Sequence, residues 1–283
     1  MKGFDHVTVI VDDVDAATAS YQRLLGIVPS WRGDHPALGT RATLFGLTNT
    51  MIELVGPLPD ALESEGMRNL LATRGQGLHA LAFQSADAQL TSSELRARGV
   101  RAASPQDGEA RGLDGSVRHY RTVELSPRST RGLSVFAVQR ADTAALRMTG
   151  LPAADCAEAL DHAVIRTADP DAAVALYGDA LGLRLALDRK VFGARMLFFR
   201  AGGVTLEVVH DASLGASDVF YGLTYRVRNL AEAHGRMAEQ GFAVSEIRAG
   251  HKPGTHVFGV RDGTCGVATL ILRDPARDGA PAS

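Results

Sequence analysis

The sequence predicts an α+β fold of two similar halves, because one pattern of residues occurs twice at a constant spacing. His6 and His162 each lie in an apolar segment with the period of a strand, and each segment leads into a helix containing Asp-Ala-Ala. Further pairs keep the same offset: Asp15 and Asp171, Ala16 and Ala172, Ala17 and Ala173, Tyr21 and Tyr177, and Gly26 and Gly182. A register held this long indicates duplication.

Each half divides further into two units of one pattern, namely a strand, a helix and three strands. In the first unit, residues 4–11 predict a strand, and Ala17, Tyr21 and Leu24 then fall on one helical face. Gly26 predicts the end of that helix. Three strands are expected to follow, near residues 27–32, 40–47 and 50–55.

The other three units follow the same order. The second predicts a strand at 77–84, a helix at 87–98, strands at 100–103, 117–125 and 133–139, and a loop at 104–116. The third occupies 160–210, and the fourth runs from 219 to a last strand at 267–272. The expected segments are an N-terminal domain at 1–140, a linker at 141–158, a C-terminal domain at 159–274 and a disordered tail at 275–283.

Charge and hydropathy exclude two classes of partner. The formal net charge is −2, and no long run of Lys and Arg provides a basic surface for nucleic acid. No apolar stretch reaches the length that spans a membrane. The expected protein is soluble and cytoplasmic, acts on a small molecule, and is a monomer or a homodimer.

An acidic residue accompanies each of the two repeated histidines. Glu53 lies in the apolar segment Met51-Ile52-Glu53-Leu54-Val55, and Glu207 occupies the matching place in the second half. A His and a Glu that recur together at the ends of a repeated unit are candidates for chemistry.

The repeated units resemble the vicinal oxygen chelate superfamily, through the Asp5-His6-Val7 strand, the Asp-Ala-Ala helix and the Ile52-Glu53-Leu54 strand. Glyoxalase I, methylmalonyl-CoA epimerase, fosfomycin-resistance proteins and type I extradiol dioxygenases belong to it. The resemblance implies two tandem domains whose mixed sheets curl around cavities. Gly33-Asp34-His35-Pro36 is similar to the glyoxalase-like group, and residues 126–130 are similar to an epimerase-type segment.

The resemblance also implies a divalent metal, such as Zn, Fe, Mn, Co or Ni, bound by the first and last strands of two paired units. The first unit would supply His6 and Glu53, and the third would supply His162 and Glu207 as a second half-site. The matching positions of the second and fourth units carry no ligand side chain; they are Ala80, Phe136, Gly222 and Leu270.

A third ligand would complete the N-terminal set. His79 directly precedes Ala80 and would face the helix unless a bulge turns it inward, and His35 is the alternative third ligand. Two further interpretations need no metal: His6 and Glu53 form a hydrogen-bonded pair, or Glu53 fixes the tautomer of His6 as a general base.

Strand periodicity also predicts a binding site for an anion. Arg166 and Arg226 are expected to share the cavity-facing side with His162, which suggests a carboxylate or phosphate on the substrate. The alternative is that either arginine forms a structural ion pair with Glu207.

Three functions are compatible with these features. The leading hypothesis is an isomerase, epimerase or lyase that acts on adjacent oxygens through an enolate, with His6 and Glu53 in its active site. An extradiol ring-cleaving dioxygenase is the second. The third is a non-catalytic protein that binds a small ligand and has degenerate metal sites.

Overall fold

The computed structural model describes residues 3–191 and 193–277, which form two eight-stranded sheets flanked by helices. The elements of the first sheet and its helices are β1 (Phe4–Ile10), α1 (Val14–Leu25), β2 (Trp31–His35), β3 (Thr40–Gly46), β4 (Met51–Pro57), α2 (Glu65–Arg74), β5 (Gly77–Gln84), α3 (Ala88–Ala97), β6 (Gln106–Gly112), β7 (Val117–Leu125) and β8 (Ser134–Arg140).

The second half repeats this arrangement after a short connecting helix. Its elements are α4 (Thr143–Leu146), β9 (Ala159–Thr167), α5 (Pro170–Ala173) with a π-helical continuation (Val174–Ala180), β10 (Arg184–Val191), β11 (Ala194–Ala201), β12 (Val204–His210), β13 (Val219–Arg226), α6 (Leu230–Glu239), β14 (Arg248–Ala249), β15 (His256–Val260) and β16 (Ala268–Arg273). The predicted α+β class with two tandem domains is confirmed.

Helix α1 shows how local sequence produces an element. The Asp13 carboxylate accepts hydrogen bonds from the N–H groups of Asp15 and Ala16, which satisfies two donors at the helix start. Gly26 ends the helix in the left-handed region, at a φ of 72°. The predicted apolar face, including Tyr21, is buried against the sheet.

The units pair within each half. β1 pairs antiparallel with β5 and parallel with β4, and β9 pairs in the same way with β13 and β12. The first unit therefore shares a sheet with the second, and the third with the fourth. Each of the repeated histidines lies on a central strand of its sheet.

The N-terminal sheet closes into a barrel. Strands β2 and β6 pair at the seam, where Gly33 lies opposite Gly112 and Asp34 opposite Arg111. A Cβ atom on Gly33 would lie 2.3 Å from the carbonyl oxygen of Arg111, so this close approach requires glycine. In the described part of the second half, β10 and β14 are the two edges of an open sheet.

Several predicted element positions are wrong. The loop expected at 104–116 contains β6, and the strand expected at 100–103 is reduced to a bridge between Ala102 and Leu125. The strand expected at 27–32 begins only at Trp31, and α2 was not predicted. The sequence of β6 is polar and mostly accessible to solvent, so its strand conformation depends on hydrogen bonds to β2 and β7.

The expected disordered tail begins with ordered structure. Pro275–Arg277 forms a 3₁₀ turn, and Arg277 Nη1 lies 3.6 Å from Asp161 Oδ1. Residues 278–283 lie outside the described residues. No helix within 3–191 and 193–277 is long and apolar enough to cross a membrane.

The two halves share one continuous hydrophobic core and several polar contacts. Asn49 Nδ2 donates to the carbonyl of Leu160 at 2.8 Å, and Asn49 Oδ1 accepts from the Leu160 N–H at 3.1 Å. Arg131 Nε also donates to the fully buried carboxylate of Asp218 at 2.9 Å. The N-terminal barrel is therefore packed against the C-terminal half.

Replacing Gly33 with Ala should destabilise the barrel, because the new methyl group meets the backbone of the opposite strand. The expected loss of unfolding free energy is about 1–3 kcal/mol, measured by urea denaturation followed by circular dichroism. Gly66→Ala is the matched control, since Gly66 lies in α2 and nothing surrounds its Cβ position. Equal stabilities of the two variants would contradict a steric requirement at the seam.

Candidate active site

The closed barrel surrounds a cavity of about 750 Å³. This volume lies within the range of small-molecule sites, which is roughly 300–1,000 Å³. Most of its wall is apolar, and a polar group gathers on β1, β4, β7 and β8. The members of this group are His6, Glu53, Arg118, Tyr120 and Arg140.

A bulge in β1 turns Asp5 toward the side chain that follows it. Phe4 pairs with Phe83 and His6 pairs with Ala82, so Asp5 is an extra residue in the β1–β5 ladder. Without the bulge, adjacent residues of a strand would point to opposite faces. Instead, His6 Nδ1 lies 2.6 Å from Asp5 Oδ1, within the buried wall of the barrel.

The other ring nitrogen of His6 faces Glu53. His6 Nε2 lies 3.2 Å from Glu53 Oε2, and the Thr8 hydroxyl donates to the same carboxylate oxygen at 3.0 Å. Residues Asp5, His6 and Glu53 thus form a continuous buried array, named here the Asp5–His6–Glu53 array. His6 is 2% exposed, whereas the Glu53 side chain is 12% exposed. Glu53 is therefore the member that a ligand in the cavity can reach.

His6 and Glu53 both carry charge at neutral pH. Burial lowers the pKa of His6, but Glu53 and Asp5 together outweigh burial and raise it to about 9. Burial likewise raises the pKa of Glu53, but the charge and hydrogen bond of His6 prevail and lower it to about 2. His6 is an imidazolium between two carboxylates, and Glu53 is ionised.

Tyr120 of this polar group contacts His35, which also lines the cavity, and both side chains are neutral. Tyr120 Oη and His35 Nδ1 are 2.9 Å apart, and the His35 ring stands edge-on to Trp31. Burial lowers the pKa of His35, so its imidazole is neutral. Burial and the nearby Glu53 raise the pKa of Tyr120 to about 12, so its phenol keeps its proton. One member donates to the other, so the pair keeps one further donor hydrogen and carries no charge.

His79 lies at the bulge that its predicted role requires. Val9 pairs with Leu78 and Thr8 pairs with Ala80, so His79 is the extra residue on β5, and it borders the cavity. Within 3–191 and 193–277, however, no three His, Cys, Asp or Glu side chains are arranged to hold a metal ion. His6 and Glu53 are brought together, but neither His79 nor His35 joins them as a third donor.

The remaining positions of a metal site carry apolar groups. Ala80 pairs with Ser134, and Ala82 pairs with Phe136, as the count along the second unit predicts. The Phe136 ring lies 5.6 Å from the His6 ring, centroid to centroid. The donor set does not fit the usual site of three protein ligands and one open position, and the predicted divalent metal stays a prediction.

The second half contains a similar but more open arrangement. Asp161 is also an extra residue in its ladder, and His162 Nδ1 lies 3.0 Å from Asp161 Oδ2. His162 Nε2 is 2.9 Å from Thr224 Oγ1 and 3.5 Å from Glu207 Oε2. Burial lowers the pKa of His162, but Asp161 and Glu207 outweigh burial and raise it. His162 and Glu207 are thus brought together on an open sheet.

The two arginines predicted to bind substrate are held in ion pairs, although not with Glu207. Arg166 pairs with Asp211. Arg226 Nε lies 2.7 Å from Glu158 Oε1, and its Nη1 is 3.9 Å from Asp161 Oδ1.

Four residues of the N-terminal site received no role from the sequence: Asp5, Arg118, Tyr120 and Arg140. The Asp-His dipeptide present in both halves was a signal for Asp5. The other three lie on β7 and β8, which reach the array through β5, since β5 pairs with both β1 and β8.

The charge pair makes stability depend on pH. The raised pKa of His6 gives stability that is complete below its ordinary value of 6.5 and is lost as pH rises through about 9. The lowered pKa of Glu53 gives stability present above 4.5 and lost as pH falls through about 2. We expect the unfolding free energy of the wild type to fall between pH 6.5 and 9.

Glu53→Gln should reduce that fall, because His6 then keeps only Asp5 as a charged partner. Urea denaturation at several pH values measures the slope, with Glu94→Gln on the exposed side of α3 as the control. A Glu53→Gln slope as steep as that of the wild type would contradict the ion pair.

Comparisons with known proteins agree with the architecture. The family model described as "Glyoxalase-like domain" matches residues 4–159. The model described as "Glyoxalase/Bleomycin resistance protein/Dioxygenase superfamily" matches residues 159–277. An ethylmalonyl-CoA/methylmalonyl-CoA epimerase from Cereibacter sphaeroides is 30% identical over 97 residues, which are 34% of this chain and 71% of the epimerase.

Two solved structures show the same fold over nearly the whole chain. A mutant of 4-hydroxymandelate synthase from Streptomyces coelicolor has 14% identity and a TM-score of 0.70, covering 99% of this chain and 97% of its own. A hypothetical protein from Staphylococcus aureus has 10% identity and a TM-score of 0.63, covering 96% and 99%. The chain belongs to the glyoxalase/bleomycin resistance protein/dioxygenase superfamily, with two tandem domains of the vicinal oxygen chelate fold.

Proposed function

We propose that the N-terminal barrel is the active site of an enzyme that moves a proton next to a carbonyl group. The reaction class is isomerisation, epimerisation or elimination on a small substrate with adjacent oxygens. The observation that carries the proposal is the Asp5–His6–Glu53 array, because it presents one ionised carboxylate to an otherwise largely apolar cavity. The name of the relative from Cereibacter sphaeroides, an epimerase, supports the same class.

Glu53 is placed to accept the proton. Its carboxylate is the exposed end of the array, and Thr8 and His6 both contact Oε2, which leaves Oε1 for the substrate. A bound substrate displaces water from the cavity, and loss of water raises the pKa of a carboxylate and makes it a stronger base. Asp5 holds His6 by Nδ1, and the imidazolium in turn fixes the orientation of Glu53.

The developing enolate needs a hydrogen-bond donor. Tyr120 and His35 are neutral, and one donates to the other across their 2.9 Å contact, so the pair keeps one donor hydrogen for the enolate, on Tyr120 Oη or on His35 Nε2. Preorganised donors of this kind stabilise charge that forms in the transition state. Separate environments thus give the base and the donor different roles at one pH.

A divalent metal would add Lewis-acid stabilisation of the enolate, as the family resemblance implies. The steps above do not pass through it, because the described residues provide a pair of donors and no third. Metal analysis after loading with Zn, Fe, Mn, Co or Ni tests this alternative. Retention of one equivalent that is lost in His6→Ala and kept in His162→Ala would support a metal at the N-terminal site.

The ring-cleaving dioxygenase is the weaker proposal. Such enzymes would need further ligands in the second half, where Gly222 and Leu270 supply no donor side chain. Anaerobic iron loading followed by a catechol assay addresses it, and formation of a yellow ring-cleavage product would favour it over proton transfer.

Substitution of Glu53 should abolish proton transfer. The assay follows exchange of the proton next to the carbonyl with deuterium from D₂O by NMR, over a panel of 2-oxo acids, 2-hydroxy ketones and acyl-CoA esters. Glu53→Gln should lose at least about 10²-fold in exchange rate. The matched variant Glu207→Gln should keep the wild-type rate, because Glu207 lies in the open sheet. Binding of a compound without exchange in the wild type would instead indicate a ligand-binding protein.

The pH profile separates Glu53 from His6 as the base. If Glu53 accepts the proton and the imidazolium supports it, kcat/KM should be flat near neutrality and fall as pH rises through about 9, where His6 loses its proton. A rate that rises through the same pH would assign the base to His6.

A further inference from the structure

Two arginines lie on the cavity wall beside the array. In the β7–β8 ladder, Tyr120 is paired with Arg140, and Arg118 lies two residues before Tyr120 on the same face of β7. Arg118, Tyr120 and Arg140 all line the cavity. Guanidinium groups bind carboxylates through charge-assisted and often bidentate hydrogen bonds.

Arg140 is fixed relative to the array by a shared atom. Its Nη2 lies 3.1 Å from Asp5 Oδ1, the same oxygen that contacts His6 Nδ1 at 2.6 Å. The Arg140 side chain is only 11% exposed. Arg140 Nε has no hydrogen-bond partner among the described residues, so this guanidinium has unused donor capacity close to Glu53.

Arg118 is oriented by an aromatic ring and a carboxylate. Its guanidinium lies 5.2 Å over the Trp31 ring, and its Nε is 3.3 Å from Asp142 Oδ2. Arg118 Nη1 is also without a hydrogen-bond partner within the described chain. Trp31 Nε1 on the same wall also lacks a hydrogen-bond partner within the described residues. Buried donors are nearly always satisfied in folded proteins, so these atoms beside one cavity indicate a missing acceptor.

We propose that the ligand of this cavity is a small organic carboxylate whose anionic group binds between Arg118 and Arg140. The inference rests on the proposed function and names its substrate class. The carboxylate would lie next to the reacting carbon, because Arg140 is held by the same Asp5 oxygen as His6.

Charge and hydropathy specify the ligand further. Three cations at this end of the barrel already face three carboxylates: His6, Arg118 and Arg140 face Asp5, Glu53 and Asp142. This group is therefore electrically balanced, and because each further buried negative charge is costly, a monoanion suits it better than a phosphate dianion. The apolar part of the wall suits a ligand with a hydrocarbon body; it includes Leu44, Val55 and Met67.

The fluorescence of Trp31 measures ligand binding directly. Trp31 is the single tryptophan of the sequence and lies in the cavity wall under Arg118. Titration of the intact protein with 4-methyl-2-oxopentanoate should change its fluorescence saturably. The neutral amide of the same acid should bind at least about tenfold more weakly, because it lacks the charge that strengthens hydrogen bonds to arginine. Inorganic phosphate should not compete at equal concentration.

Arg118→Gln should weaken binding of the acid by about tenfold or more and leave binding of the amide nearly unchanged. Arg118→Lys should fall between, since lysine keeps the charge but not the planar fork. Arg195→Gln, which removes an ion-paired arginine from the other half, should bind as the wild type does. Thermal unfolding of each variant checks folding, and the acid–amide comparison in the wild type needs no variant.

Three results would overturn the inference: no saturable response to the acid, equal affinity for acid and amide, or stronger competition by phosphate. A different measurement, deuterium exchange, tests the proposed function. Glu53→Gln should still bind the acid while losing deuterium exchange, so binding without exchange in the wild type would reject the reaction and keep the carboxylate site.

Discussion

Backbone pairing between β2 and β6 is the constraint on which the functional half of this protein depends. The pairing closes the N-terminal sheet, and it requires Gly33 because the opposing backbone leaves no room for a Cβ atom. Closure completes the wall of the cavity on the side opposite β1 and β5. The second sheet lacks this seam in its described residues, and its own histidine side chain is 20% exposed, against 3% for the side chain of His6.

Inside the barrel, burial and the attraction between charges have opposite effects on the ionisation of His6 and Glu53. Burial alone would neutralise His6 and Glu53, but their proximity keeps both charged. One oxygen of Asp5 contacts both His6 and Arg140, so the candidate base and the candidate anion site share a single anchor. Displacing Asp5 would therefore disturb both.

The duplication gives both halves the same contact between an aspartate and a histidine, but the residues around that contact differ. In both halves, a bulge lets an aspartate contact the histidine that follows it. The N-terminal copy faces a cavity with unpaired arginine donors, whereas the C-terminal copy is joined to Thr224. This difference in surroundings is why we assign the reaction to the first half.

The sequence by itself determined the repeated units, the family and the recurrence of a His with a Glu in both halves, because strand and helix periods are local and the duplication compares the chain with itself. Tertiary structure decided the rest. Strand periodicity predicts which face of the sheet a residue occupies only where the ladder is regular. The bulges at Asp5 and His79 therefore could not be located from the sequence. The polar strand β6 is held on one side by the distant strand β2, and the cluster of Arg118, Tyr120 and Arg140 lies near His6 because β5 joins β8 to β1. Contacts between strands so far apart in sequence leave no periodic signal in either strand.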